Sequence, residues 1–250
     1  MTSQRLDARV LQDGLAGDLR EATGLIMQGA VLVNDRPADK PGAQVRHRDL
    51  VRLRNAHAVR AFVSRGGDKL EGALGDLSVQ VRDLQCMDVG ASTGGFTDCL
   101  LRRGARAVIA VDVGYGLLAD TLRRDARVHV LERTNARHLT VALLPWRPSL
   151  LVVDASFISL RALLPAMTAV AAAEARIVAM VKPQFELPRS EVPSGGVVLD
   201  RALRLRAAAD VAQEAEKLGW KLTGEVDSRV AGPSGNRERF VLLERGSPCP

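Results

Sequence analysis

The stretch that most constrains this 250-residue chain runs Cys86-Met-Asp-Val-Gly-Ala-Ser-Thr-Gly-Gly-Phe-Thr97. A short, mostly apolar run from Leu84 to Met87 ends on Asp88. Glycines follow at 90, 94 and 95, and Phe96 to Leu101 spaces its apolar residues as on one helix face. That pattern predicts a strand, a tight glycine turn and a helix start. Glycines at such a turn let backbone approach a bound molecule, and the first N–H groups of a helix are left to donate to it. The stretch therefore reads as the floor of a nucleoside-cofactor pocket, to which Asp88, Gly90, Ala91, Ser92, Thr93, Gly94, Gly95 and Phe96 contribute.

Four further apolar runs come after it: Ala107 to Asp112, Arg127 to Leu131, Ser149 to Asp154, and Ile177 to Val181 with Lys182-Pro183 directly after. Continuous apolar strands alternating with helical segments imply a parallel sheet covered on both faces. Lys221 to Val230 and Glu238 to Leu243 read as two antiparallel strands joined by Ala231-Gly-Pro-Ser-Gly235, and Leu187 to Val198 as a loop on the active-site side.

In such a sheet the residues at the C-terminal strand ends collect in one crevice. Here they are Asp88 with its glycine loop, Asp112, Glu132 with Asn135, Asp154, and Lys182. Asp112 is placed for ribose hydroxyls and Asn135 for a base edge. A dinucleotide and S-adenosylmethionine both suit this arrangement. The spacing Asp-x-Gly-x-x-x-Gly-Gly favours S-adenosylmethionine over Gly-x-Gly-x-x-Gly, and the lack of Lys-Ser/Thr after Gly95 argues against a phosphate loop. Asp154 and Lys182 each end an apolar strand, where folding has no use for a charge. Buried charges need partners, so the two are expected to pair. A lysine held beside a second cation can serve as a general base for a hydroxyl; the bland alternative is a salt bridge without chemistry.

Residues 1 to 59 read as a separate unit. Leu6, Val10 and Leu11 share a helical face, as do Ala22, Leu25 and Ile26 in a segment ending at Gly29. Ala30 to Arg36 reads as strand and turn, and Leu50 to Arg54 as a strand with Val51 and Leu53 inward. Between residues 45 and 65 six arginines face a single acid, Asp49, and the whole chain carries a net charge of +6. An arginine array on a small unit is an electrostatic footprint for phosphates. Gly66-Gly67 reads as a flexible break, with Lys69 opening a helical run in a first turn that disfavours a cation.

The remaining composition mainly excludes. Three cysteines, Cys86, Cys99 and Cys249, are odd in number and far apart, which argues against a disulfide framework and for a reducing compartment. Four scattered histidines give no metal-ligand spacing, so no metal is expected. The N-terminus lacks a signal-peptide core. The longest apolar run, Leu163 to Ala173, is about half of the roughly 20 residues a membrane span needs. A cytoplasmic, monomeric protein without membrane attachment is expected.

Two resemblances sharpen these readings. Arg5-Leu-Asp7, Gly14-Leu-Ala16, Arg20-Glu-Ala22, Leu25-Ile26, Gly29-Ala-Val-Leu-Val-Asn34, Lys40-Pro41, Val45 and Asp49 resemble the S4 RNA-binding domain. Leu19 stands where that family usually has serine, a change expected to alter a helix cap. The resemblance implies that Arg5, Arg9, Arg20 and Lys40 face structured RNA.

Residues 60 to 245 resemble the FtsJ-like ribose methyltransferases. Together with the S4 unit the chain resembles the TlyA family, also called hemolysin A. The match rests on Val63-Ser-Arg-Gly-Gly67 with Lys69-Leu70, Asp88 to Thr97, Val111-Asp-Val-Gly114, Arg133-Thr-Asn-Ala-Arg137, Asp154-Ala-Ser-Phe-Ile-Ser159, Lys182-Pro-Gln-Phe185, Gly195-Gly-Val-Val198 and Gly235-Asn-Arg-Glu238. Phe62 stands where tryptophan is frequent, and the loop from Ser194 to Asp200 lacks the basic residues often found there.

The resemblance implies a Rossmann-like class I methyltransferase sheet, parallel with an antiparallel C-terminal strand, over residues 69 to 250. A linker at 60 to 68 joins it to a small α+β S4 domain at 1 to 59. Also implied are a tetrad of Lys69, Asp154, Lys182 and Glu238, with Lys182 as base, and S-adenosylmethionine as cofactor. The implied reaction is 2'-O-methylation of cytidines in 16S and 23S ribosomal RNA within ribosomal subunits. Arg65, Tyr115, Arg133, Arg137 and Phe157 join the expected RNA contacts, with Tyr115 or Phe157 stacking on the target base. A non-catalytic ribosome-binding factor, a membrane-lytic protein and a nicotinamide dehydrogenase are the competing readings.

Overall fold

The computed structural model describes residues 3–54, 62–232 and 235–245. The chain divides into two units, Met1–Ser64 and Arg65–Pro250.

In the first unit β1 (Ser3–Arg5) leads into α1 (Leu6–Gln12) and α2 (Leu19–Met27). Four short strands complete it: β2 (Val31–Val33), β3 (Arg36–Ala38), β4 (Gln44–Arg46) and β5 (Val51–Leu53). β1 pairs with β4, and β2 lies between β3 and β5, all antiparallel. Leu6, Val10, Ala22, Ile26, Val31, Val45 and Val51 form the core, so the helical faces expected from spacing do turn inward. The hairpin between β2 and β3 turns on Asn34 and Asp35, both with positive φ. Asparagine and aspartate tolerate that conformation better than most residues. The cap of α2 is Asp18, whose side chain accepts the Glu21 N–H at 2.7 Å. Leu19 is therefore the first helical residue and exposed, and the cap survives where the sequence led us to expect it altered.

The second unit opens with α3 (Arg65–Asp76). Gly66 and Gly67 are in its first turn, so the expected break there is helix. Gly67 is buried, which a glycine permits by having no side chain to place. Lys69 consequently sits in the second turn, not the first.

The sheet comprises β6 (Gln85–Val89), β7 (Ala107–Val111), β8 (Val128–Leu131), β9 (Leu150–Val153), β10 (Arg176–Val181), β11 (Trp220–Asp227) and β12 (Arg239–Arg245). Between them lie α4 (Gly95–Arg102), α5 (Asp120–Arg123), α6 (Leu164–Val170), α7 (Pro183–Glu186) and α8 (Arg201–Lys217). The strand order is β11-β12-β10-β9-β6-β7-β8. Pairing is parallel from β10 through β9, β6 and β7 to β8, whereas β12 is antiparallel to both β10 and β11. β9 and nearly all of β10 and β6 are buried, which is why their sequences read as unbroken apolar runs. The order reverses at β6, so the glycine loop leaves the sheet at its switch point, where open α/β sheets bind ligands.

Candidate active site

The glycine loop is shaped by left-handed backbone. Gly90, Ser92 and Gly94 have φ of +86°, +49° and +95°. A Cβ on Gly90 would stand 2.6 Å from the backbone oxygen of Asp154, and one on Gly94 would strike Leu122 and Leu118. Glycine is thus required at both positions, for conformation and for space. Gly90 and Ala91 donate their N–H groups to the Val111 carbonyl at 2.9 and 3.1 Å. Ala91, Thr93 and Gly95 are buried, and Gly95 begins α4. Phe96 turns its ring into the core against Phe240, so it offers the loop backbone and not an aromatic face.

Asp112 ties this loop to the next. Its Oδ2 accepts the Ser92 N–H at 2.8 Å and its Oδ1 the Gly114 N–H at 2.7 Å. A carboxylate has about four acceptor sites, so ribose hydroxyls can still be bound. Asp88 lies beneath, fully buried. Its Oδ2 accepts the Thr97 hydroxyl at 2.7 Å while its Oδ1 has no partner. Burial, reinforced by the nearby charges of Asp154 and Asp112, pushes its carboxyl up to about 7. A buried oxygen left unpaired under a loop closed to any side chain fits a pocket that completes its bonding with a ligand. Glu132 accepts from the Gly116 N–H at 2.8 Å and from Arg123. Asn135 caps the 3-10 turn at Ala136–His138 through its Oδ1, leaving its amide to donate elsewhere.

The four tetrad residues form two ion pairs. Lys69 Nζ lies 2.5 Å from Glu238 Oε2, with both side chains buried (9% and 5% exposed). Lys182 Nζ lies 2.6 Å from Asp154 Oδ1, where the lysine is equally buried but the aspartate is 26% exposed. Register places the pairs at one edge of the sheet. Lys182 follows Val181, whose partner in β12 is Arg239, and Glu238 immediately precedes Arg239.

Sequence reasoning missed three residues that support this cluster. Ser156 accepts a 2.8 Å hydrogen bond from Lys182 Nζ. Glu186, in α7, accepts the Ser159 hydroxyl at 2.5 Å and the Leu160 N–H at 2.7 Å, locking the loop after β9 to the loop after β10. Burial pushes the Glu186 carboxyl up, against the pull of these bonds and of Arg161. Asn236 accepts the Val198 N–H and donates to the Gly196 carbonyl, each at 2.8 Å, and so pins the loop before α8 beside Glu238. Within the sequence motifs, the only sign of these three was a small polar residue or an acid beside a charged one.

The expected RNA contacts vary in setting. Phe157 is 91% exposed, adopts a φ of +65°, and leans on the Phe185 ring at 5.5 Å. Tyr115 is also exposed and stacks under the Arg133 guanidinium at 4.2 Å. Arg137 is exposed, and Arg65 is the first residue of α3, half-buried. In the first unit Arg20 and Lys40 are exposed. Arg5 forms a fork with Asp7, at 3.0 and 2.5 Å, and remains largely exposed. Arg9 bonds Asp13 and reaches the carbonyls of Arg46, His47 and Asp49, with only 14% of its side chain exposed.

One antiparallel strand inserted second from the edge of a parallel sheet, a glycine loop after the strand at the switch point, and an acid after its neighbour define an S-adenosylmethionine-dependent methyltransferase. The fold is shared with the S-adenosylmethionine-dependent methyltransferase of Mesorhizobium loti. The TM-score is 0.52 at 14% identity, over 70% of this chain and 96% of that one.

The FtsJ-like methyltransferase family matches residues 62–245 and the S4 domain residues 4–51. The chain belongs to the FtsJ-like methyltransferase family, in the TlyA branch that joins it to an S4 domain. It is 48% identical to the 16S/23S rRNA (cytidine-2'-O)-methyltransferase TlyA of Mycobacterium tuberculosis, over 96% of this chain and 89% of that protein. Hemolysin A of Brachyspira hyodysenteriae is 35% identical over 94% and 97%. A solved structure from Streptococcus thermophilus, named a hemolysin, superposes with a TM-score of 0.75 at 36% identity, covering 99% of this chain and 90% of that one.

Proposed function

We propose that this methyltransferase modifies the 2'-hydroxyl of cytidine ribose in 16S and 23S ribosomal RNA, acting on ribosomal subunits, with Lys182 as the base. Support for the substrate comes from the S4 unit and from the activity carried in the name of the M. tuberculosis relative. The observation that carries the choice of base is the unequal closure of the two ion pairs. Glu238 seals Lys69 in, whereas Lys182 shares its pair with a partly exposed Asp154 and an exposed Ser156. The two lysines are equally buried, so the difference lies in the partners, and those of Lys182 face the side from which a hydroxyl would approach.

When bound, S-adenosylmethionine supplies an electrophilic methyl group on a sulfonium. The residues present fit that group: the glycine loop admits its backbone-close approach, Asp112 has acceptor sites for ribose, and the cap at Asn135 uses only its Oδ1. Lys182 takes the proton of the ribose hydroxyl as the oxygen becomes nucleophilic, and Asp154 holds the resulting ammonium. Lys69, oriented by Glu238, adds positive potential where the alkoxide charge develops. Phe157 and Tyr115 offer exposed rings on which the target base stacks, and Arg133 and Arg137 take phosphates. The S4 unit uses Arg5, Arg20 and Lys40 to position the RNA. Among the described residues no helix is long and apolar enough to cross a membrane.

The test is methyl transfer from labelled S-adenosylmethionine to unmodified ribosomal subunits, with the modified nucleotide mapped. The Lys182→Ala protein should lose at least about a hundredfold in rate, the usual worth of a general base, while still binding cofactor and RNA. Absence of RNA methylation by the wild-type protein in every subunit state would overturn the proposal. Lysis that persists in the Lys182→Ala protein would favour the membrane reading.

A further inference from the structure

We propose that Ser156 is a positioning residue that fixes the direction of the Lys182 lone pair. The inference rests on the reading of Lys182 as the base. A neutral primary amine has two N–H bonds and one lone pair, arranged tetrahedrally. Lys182 Nζ has two acceptors in reach, Asp154 Oδ1 at 2.6 Å and Ser156 Oγ at 2.8 Å. When each takes one N–H, a single direction remains for the lone pair, and the proton must arrive along it. With Asp154 alone, one N–H is held but the second N–H and the lone pair can exchange places about the Cε–Nζ bond. The second acceptor removes that freedom, and positioning of this kind is where much of a catalyst's advantage lies.

The setting of Ser156 is built for a fixed angle. The next residue, Phe157, takes a φ of +65°, which is unfavourable for a bulky side chain and is held only where the surroundings impose it. Three residues beyond Ser156 the loop is clamped. The Ser159 hydroxyl and the Leu160 N–H both donate to Glu186, and the Glu186 backbone oxygen accepts from Arg161 at 2.7 Å. Glu186 lies one helical turn after Lys182. The serine and the lysine therefore hang from the same support and cannot drift apart independently. Ser156 is also exposed while Lys182 is buried, so the hydroxyl lies on the open side from which a ribose would come.

The test compares Ser156→Ala, Ser156→Thr and Lys182→Ala in single-turnover methyl transfer to ribosomal subunits, which isolates chemistry from product release. Ser156→Ala should slow the chemical step by about ten- to a hundredfold, part of the full worth of a base. Its affinity for RNA and cofactor and its unfolding midpoint should stay unchanged. The deficit should persist on the alkaline plateau of the rate profile, because direction and not charge was lost. Ser156→Thr, which keeps the hydroxyl, should recover the rate. Without cofactor or RNA, the 15Nζ signal of Lys182 should broaden in Ser156→Ala and return in Ser156→Thr. Wild-type rates in Ser156→Ala beside an inactive Lys182→Ala would overturn the inference and leave the base intact. Weakened RNA binding with an unchanged chemical step would overturn it too, making Ser156 a substrate contact. Activity in Lys182→Ala would remove the base reading itself, and this inference with it.

Discussion

Glu238→Ala should destabilise the methyltransferase unit through the charge it strands. The Lys69–Glu238 pair is about as closed as an ion pair can be, with side chains 9% and 5% exposed and a 2.5 Å contact. Solvent screening, which makes surface pairs nearly worthless, is small here. Removing one partner of such a pair costs about 3–5 kcal/mol, because the other charge is left buried and uncompensated. In a unit of this size about 1 kcal/mol moves the melting temperature by 2–4 °C, so the expected fall is roughly 6–20 °C. The assay is tryptophan fluorescence during thermal unfolding. Both tryptophans, Trp146 and Trp220, belong to the second unit, so the signal is silent about the first. The double variant Lys69→Met with Glu238→Leu replaces both charges by apolar groups, and such swaps are commonly neutral or stabilising. It should melt within a few degrees of wild type and yet transfer no methyl groups. A Glu238→Ala protein that melts with the wild type, or a double variant whose loss equals the sum of the singles, would refute the reasoning.

Four other substitutions give further readings. Gly90→Ala should cost about 1–3 kcal/mol from backbone conformation alone and more from the Asp154 carbonyl it would meet at 2.6 Å. Gly195→Ala, with nothing within 4 Å, should be neutral in the same unfolding assay. Asp88 titrates near 7 when folded, above its ordinary 3.8. The folded state therefore holds a proton the unfolded state has lost between those values. Its contribution is full below about pH 4 and fades as pH rises to about 7, so Asp88→Asn should gain on wild type across that window in unfolding measured against pH. Phe157→Gly should relieve left-handed strain of about 1–3 kcal/mol and raise the melting temperature, while losing methyl transfer to RNA if the exposed ring stacks on the target base.

The legible parts of the sequence were those where burial leaves one solution. Ala107–Val111 and Leu150–Val153 were found to within a residue because strands covered on both faces carry no polar interruption to blur them. Asp154 and Lys182 stood out for the same reason, as charges directly against such runs. β1 and β4 were missed because each turns only its middle residue, Gln4 or Val45, away from solvent, too few to make a pattern. Gly66-Gly67 misled because a glycine pair has the same composition in a hinge as in a helix's first turn, and only packing decides. Ser156 acts through one hydrogen bond and Asn236 through two, and a serine or asparagine in a loop is compositionally ordinary. The pairing of Lys69 with Glu238 spans 169 positions and had no local trace at all.

That long reach is a consequence of the topology. In a parallel sheet, a residue gets to the functional edge by following its strand, as Asp154 follows β9 and Lys182 follows β10. An antiparallel strand reverses the rule, and its contribution must come before it. β12 is the one strand so reversed against β10, and Glu238 is the residue immediately preceding it. Inserting β12 against β10 thus delivers a carboxylate next to Lys182, where a further parallel strand would have delivered its N-terminal end to the opposite edge. Glu238 then captures Lys69 from α3, bringing a second cation to the sheet edge without lengthening any loop after a parallel strand. Asn236 fastens the 196–198 loop two residues away, so the same strand start that supplies the carboxylate also fixes one wall of the site. The reversal of one strand therefore completes the cluster: it brings Glu238, and through it Lys69, to the sheet edge where the parallel strands deliver the Asp154–Lys182 pair.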